Sequence, residues 1–386
     1  MNNRDLLLAL LKVAINGDEL ASDSGIKDSL SSERLTTLFK ISKKHDVAHL
    51  VAYALEENGF SCSNEVWQLF LKEKEQAILR YEMMQADINE ICSCFETNGI
   101  DYMPLKGAVL RSIYPEPWMR TSCDIDILVH EEELDRAVQA LVKDHSYRVE
   151  GKKNYHDISL YSPFGMHLEL HHNIKETIDK YDELLTQVWT FSRKSQENGH
   201  SYAQTNEFLM FHLIAHMAYH FVGGGCGLRS VLDIWLLKKE REFDNTELCG
   251  FLDKAMLTSF FETIMMLAEY WFGEGTITSS LVLETEKYVL LGGAYGTSQQ
   301  NIVSKQIQKG GKFKYIMSRI FIPYESLSIL YPIVKKHKVL IPFCQMLRWL
   351  SVPFKGKKLS REMKSLSSVT KDEIDQIDLL LKKLRL

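Results

Sequence analysis

Asp124-Ile125-Asp126 is the tripeptide with the clearest chemical content in the chain. In a strand, residues two apart point to the same face. Both carboxylates would then project side by side, with Ile125 and Ile127 turned to the core. Adjacent carboxylates repel unless a positive charge neutralises them. A divalent cation that accepts hard oxygen ligands, Mg²⁺ or Mn²⁺, does this well. A second run, His167-Leu168-Glu169-Leu170-His171, has the same alternation, with Leu168 and Leu170 on one face and His167, Glu169 and His171 on the other. If the two strands are neighbours, Glu169 completes a three-carboxylate metal site, its oxygens within roughly 5–6 Å of those of Asp126, and His171 borders the same cleft. Three carboxylates suit a two-metal centre for phosphoryl transfer, in which Glu169 can also help deprotonate an acceptor. Spacing alone fits a solvated strand face as well, since Asp-x-Asp is common.

The residues upstream add phosphate chemistry. Leu105-Lys106-Gly107-Ala108 reads as a strand-to-helix junction. Glycine there lets backbone N–H groups approach phosphates, and Lys106 supplies a positive charge. A Lys-Gly pair alone is weak, because any such turn favours glycine. The order of strand, glycine turn, helix and carboxylate strand is more specific than either part.

These elements need a scaffold. Residues 1–98 read as helical, with amphipathic stretches starting near Leu35 and near Val66, and no Gly or Pro at 61–98. From Asn98-Gly99 to about 195 the pattern is a small α/β unit. It has a short apolar run at 102–105, a strand at 124–129 and a helix at 131–145. Strands at 155–161 and 166–172 follow, joined by the turn Ser162-Pro163-Phe164-Gly165. After 204 helical spacing returns at Phe208–Phe221, Leu228–Leu237 and Met256–Phe272. His212, His216 and His220 share one broad helix face. Without an HExxH pattern or a fourth ligand, they read as buried or cleft-facing hydrogen-bonding groups, not a zinc site. Arg229 and Asp233 are four apart, in the less favourable order for a helix ion pair. The helix at 228–237 can close one side of the cleft or simply pack.

The run LKGAVLRSIYPEPWMRTSCDIDILV resembles the uncharacterised nucleotidyltransferase family of the polymerase-β-like superfamily. HLELHH is similar to its third-acid strand, with Glu169 where aspartate is more usual. Gly107-Ala108 stands where that superfamily usually has Gly-Ser or Gly-Gly. The resemblance is sharpest over 104–130 and continues to about 172. It implies a nucleotide-transfer fold that uses a metal, with Asp124, Asp126 and Glu169 as catalytic and metal-holding residues. Arg120 matches an arginine of the pattern and would either steady the triphosphate or buttress the acid loop. With Lys106 and Gly107 it makes up the expected nucleotide-binding set.

The bulk composition sets limits. A chain of 386 residues with 45% hydrophobic and 25% charged residues is an ordinary folded protein, not a disordered one. Seven scattered cysteines without a CxxC pair read as free thiols in a reducing compartment, so a cytoplasmic location is expected. The N-terminal run resembles a signal peptide only loosely, because Lys12 interrupts it and its leucines have helical spacing. No apolar run is long enough for a membrane span. The net charge of −5 is unevenly spread. Residues 301–364 hold 14 Lys and Arg but only Glu325 and Glu362 as acids, giving about +12 there and about −17 elsewhere. Mixed with aromatics, such a tail can bind nucleic acid or an anionic membrane surface, or pack on an acidic body.

The expected fold is therefore α+β: a polymerase-β-like module, a small mixed sheet with flanking helices, embedded in a mainly helical protein. The expected divisions are a helical region at 1–98, the nucleotidyltransferase module at 99–195, a helical region at 196–300 and a basic helical region at 301–386. The expected activity is Mg²⁺- or Mn²⁺-dependent transfer of a nucleoside monophosphate from an NTP, such as ATP, to a hydroxyl, releasing pyrophosphate. The alternatives are a non-catalytic nucleotide-binding protein and a toxin- or antitoxin-type interaction protein that keeps the fold.

Overall fold

The computed structural model describes residues 1–17, 30–176, 178–276, 279–293, 296–351 and 369–386. Four helices come first: α1 (Asn3–Asn16), α2 (Ser32–Lys44), α3 (Ala48–Glu57) and α4 (Glu65–Asn98). Asn2, Ser31 and Asn64 cap α1, α2 and α4, each side chain accepting a bond from a first-turn N–H. α4 runs 34 residues because no Gly or Pro interrupts it, and it stops at Gly99, whose φ of +62° favours glycine.

The sheet follows. β1 (Tyr102–Pro104) leads into the short α5 (Gly107–Leu110), and β2 (Asp124–Val129) into α6 (Leu134–His145). β3 (Arg148–Glu150), β4 (Asp157–Tyr161) and β5 (His167–His171) complete it. The spatial order is β1-β2-β5-β4-β3; β2 and β5 are parallel and every other pair is antiparallel. The β4–β5 turn is the expected one: Gly165 has φ +83° and its N–H donates to Ser162 O at 2.9 Å. After α7 (Asp179–Leu185), a hairpin of β6 (Ser192–Lys194) and β7 (Tyr202–Gln204) lies beside β1, where the Tyr102 N–H donates to His200 O at 3.0 Å.

Helices form the rest: α8 (Asn206–Gly223), α9 (Leu228–Glu240), α10 (Asn245–Lys254), α11 (Thr258–Phe272) and α12 (Ser280–Gly292). Beyond them lie α13 (Ser298–Gln308), α14 (Lys312–Ile320), α15 (Tyr324–Leu330), α16 (Ile333–Lys336), α17 (Ile341–Ser351) and α18 (Lys371–Leu384). Of the basic stretch, Lys355, Lys357, Lys358, Arg361 and Lys364 lie outside the described residues. The seven cysteines, all among the described residues, form no disulfide. Among the described residues, no helix is long and apolar enough to cross a membrane.

Two cores hold the sheet in place. Ile125, Ile127, Leu168 and Leu170 pack against Ile91 and Phe95 of α4 and Leu134 and Leu141 of α6. A larger core joins α1–α3 to α8, α9 and α11, and it takes in Met103, Leu105 and Leu128. Each fully buried side chain of this size contributes about 1.5–3 kcal/mol. The back-face residues of β2 and β5 are at most 1% exposed. A one-residue slip of either strand would exchange them for carboxylates, so burial fixes the register. The mixed helix-and-sheet architecture agrees with the α+β expectation.

Candidate active site

The β2–β5 register builds the site. Asp124 is opposite His167, Asp126 opposite Glu169 and Leu128 opposite His171. Alternation puts the acids on the face away from α4 and α6. Donor atoms of Asp126, Glu169 and His171 all lie within 4.8 Å of one another, as do those of Asp124, His167 and Glu169. The expected approach of Glu169 to Asp126 is thus present, and Glu169 belongs to both groups. His171, on the same strand face, places Nε2 2.9 Å from Asp126 Oδ1 and 3.5 Å from Glu169 Oε2. The ring of His156 stacks on His171 with centroids 5.5 Å apart.

Lys106 and Gly107 stand at the edge of this face. The Leu105 N–H donates to Asp126 O at 3.0 Å, which carries the β1–β2 pairing up to the turn. Lys106 then adopts φ +42°, ψ −111°, a conformation that costs a non-glycine residue about 1–3 kcal/mol. The turn delivers its ammonium to 3.4 Å from Asp126 Oδ1. A Cβ on Gly107 would meet the Ser122 side chain at 3.3 Å. Ser122 has little room to retreat, because it accepts from Arg111 at 2.6 Å and donates to Asp124 O at 3.0 Å.

The loop before β2 is anchored from the helical body. Arg120 Nε donates to Asp233 Oδ1 at 2.7 Å, and the Tyr114 hydroxyl donates to the same oxygen at 2.7 Å. Thr121 donates to Asp46 Oδ2 at 2.9 Å, and Arg229 also binds that oxygen. Arg120 therefore buttresses the acid loop while lining the cleft. Arg229 and Asp233 pair with partners on other elements, Arg229 with Asp46 and Asp233 with Arg120.

Opposing effects set the charge states. Burial pushes the Asp126 carboxyl up, but Lys106 and the His171 hydrogen bond outweigh it and hold the group well below the usual range. Burial, then Asp126 and Glu169, raise Asp124. The His171 hydrogen bond lowers Glu169. Burial pulls Lys106 down, yet Asp126, Glu176, Glu169 and Asp124 together raise it. Three acids thus face one ammonium and one imidazole, and burial and the neighbouring acids disfavour the ionised form of Asp124.

All six expected residues, Lys106, Gly107, Arg120, Asp124, Asp126 and Glu169, line one cleft of about 390 Å³. α8 forms the opposite wall with His212, His216 and His220. His212 is buried and bonds Gln204 through Nδ1 at 3.2 Å, and burial lowers its pKa to about 3. His216 Nδ1 lies 2.5 Å from Glu176 Oε1. Burial lowers His220 to about 4. His212 and His216 of this helix face thus make hydrogen bonds, as the sequence indicates. Glu176 is the cleft residue that sequence reading passes over. It follows the HLELHH strand without a motif, and its partner is 40 residues away.

Residues 31–273 match the model of a family described as uncharacterised nucleotidyltransferase. That match covers more than half of the chain, and the protein belongs to this family. Comparison with curated proteins and with solved structures gives no match.

Proposed function

We propose that this chain is a Mg²⁺- or Mn²⁺-dependent nucleotidyltransferase of polymerase-β-like type, which moves a nucleoside monophosphate from an NTP to a hydroxyl and releases pyrophosphate. The observation that carries this is the parallel β2–β5 register, which sets Asp124, Asp126 and Glu169 on one cleft-facing surface. Family membership supports the reaction class.

The residues fit a divalent cation. Their oxygens are hard donors, three acids share one ammonium and one imidazole, and the raised Asp124 marks crowded negative charge. Asp124, Asp126 and Glu169 would hold the metal. A bound cation would neutralise charge on the phosphates and on the leaving oxygen. Lys106 directs its ammonium to the triphosphate from the strained turn. Gly107 keeps that turn close to Ser122, so the backbone wall of the cleft stays free of a side chain. Arg120, tied to Asp233, holds the loop that aims Asp124.

The test is label transfer from NTPs carrying labelled α-phosphate, with and without Mg²⁺ or Mn²⁺. Cation-dependent formation of a nucleotidylated product with pyrophosphate is expected. Tight NTP binding without pyrophosphate release would identify a binding protein instead.

A further inference from the structure

Across the cleft from the carboxylates, His216 of α8 pairs with Glu176 of the segment between β5 and α7, a histidine–carboxylate pair that the metal site does not use. Glu176 is partly buried, and although burial opposes its ionisation, His216 and Lys106 bring its pKa to about 2. An ionised carboxylate only accepts hydrogen bonds, so the Nδ1 of His216 must carry the shared proton. In the neutral ring this leaves the lone pair on Nε2. The carboxylate fixes tautomer and ring orientation, as the aspartate of a Ser-His-Asp triad does for its histidine. Both side chains line the cleft, and that of His216 is the more open of the two, 28% exposed against 12% for Glu176.

His216 also stands where two spaces meet. A second pocket of about 240 Å³ shares Lys106, Arg120, His216, His220 and Arg229 with the main cleft. Its further wall includes Leu213, Met217 and Ile234. A charge on His216 acts on Asp126, and one on Lys106 acts on Glu176, so the pair and the carboxylate site lie within one electrostatic field. His212 and His220 flank His216 and stay neutral, His212 in a buried position.

We propose that His216, held by Glu176, is the general base that takes the proton from the acceptor hydroxyl, and that the acceptor approaches through the 240 Å³ pocket. This rests on the nucleotidyl-transfer reading above. The acceptor O–H bond breaks and its proton passes to His216 Nε2. The oxygen bonds the α-phosphorus of the NTP, the α–β bridging P–O bond breaks, and pyrophosphate leaves with that electron pair. His216 then returns the proton to solvent. Glu176 is a positioning residue.

The experiment compares the parent with His216→Ala, His216→Gln and Glu176→Gln. Label from α-phosphate-labelled ATP, GTP, CTP and UTP is counted in every product formed with Mg²⁺ and an extract of the source cells as acceptor pool. Affinity for a non-hydrolysable ATP analogue with Mg²⁺ is measured alongside. Both His216 variants should lose about 100- to 10,000-fold in turnover, the range of a positioned base, with nucleotide affinity within about threefold of the parent. Imidazole should restore part of the loss in His216→Ala. Glu176→Gln should lose turnover less steeply, with affinity kept. Parental turnover in either His216 variant overturns the base assignment. So does a loss matched by lost nucleotide affinity, or one that imidazole leaves unrestored in a folded His216→Ala. A parent that transfers no label from any NTP removes the reaction itself, a result distinct from failure of the histidine alone.

Discussion

Replacing Asp233 by Ala tests how the helical body holds the acid loop. Asp233 is 6% exposed and accepts from Arg120 and Tyr114 on one oxygen, both at 2.7 Å. Arg120 is 9% exposed and Tyr114 5%. Truncation leaves a nearly buried guanidinium without its carboxylate, a change that costs about 3–5 kcal/mol. The Tyr114 hydroxyl loses its acceptor, worth about 1–3 kcal/mol alone. The two losses share one oxygen and do not add in full, and Arg120 keeps its bond to Thr121 O. The expected loss is therefore about 3–5 kcal/mol, a large part of a typical domain stability of about 5–15 kcal/mol. Urea denaturation reads it as a lower midpoint at constant slope. The paired change Arg120→Met with Asp233→Leu should recover most of it, because removing both buried charges leaves neither uncompensated. A loss under about 1 kcal/mol for Asp233→Ala, or losses that simply add in the double variant, would refute the buried-pair argument.

Three further outcomes follow from the same geometry. Lys106→Ala should weaken Mg²⁺-triphosphate binding by about 1–3 kcal/mol in calorimetry, and unchanged affinity would reduce Lys106 to a turn residue. Gly107→Ala should cost about 1–3 kcal/mol in denaturation, because its Cβ meets Ser122 at 3.3 Å and Ser122 is held from two sides; a neutral effect would mean that Ser122 yields. His45 bonds Leu290 O, and burial lowers its pKa to about 4 from an ordinary 6.5. The unfolded chain binds that proton first, so stability should fall as pH drops from about 6.5 toward 4. His45→Gln should flatten the slope measured by denaturation between pH 7 and 5, and an unchanged slope would remove His45 as a contributor.

Local periodicity made much of this legible. Alternation at 124–129 and 167–171 puts Asp124, Asp126 and Glu169 on one face, because Ile125, Ile127, Leu168 and Leu170 have to be buried. The long α4 is readable from the absence of Gly and Pro. The hairpin of β6 and β7 and the edge strand β3 are not, since three-residue strands carry almost no periodic signal. α10 is likewise hard to read, lying between two more strongly apolar helices. Long-range pairing is the other gap. Arg229 and Asp233 suit each other by spacing, yet each reaches a partner more than a hundred residues away, at Asp46 and at Arg120. Glu176 becomes visible only when α8 is folded over the sheet.

The most direct test of the central claim is binding and turnover of Mg²⁺-NTP by the Asp124→Asn/Asp126→Asn variant beside the parent. The substitutions keep side-chain shape and remove both charges. Relief of the acids' mutual repulsion offsets part of what Lys106 and His171 lose with Asp126, so the fold should persist at somewhat lower stability. Cation-dependent NTP binding and pyrophosphate release should both be lost while the thermal transition stays cooperative. A folded double variant that binds and turns over Mg²⁺-NTP as the parent does would contradict the assignment of the carboxylate face as the metal and reaction site.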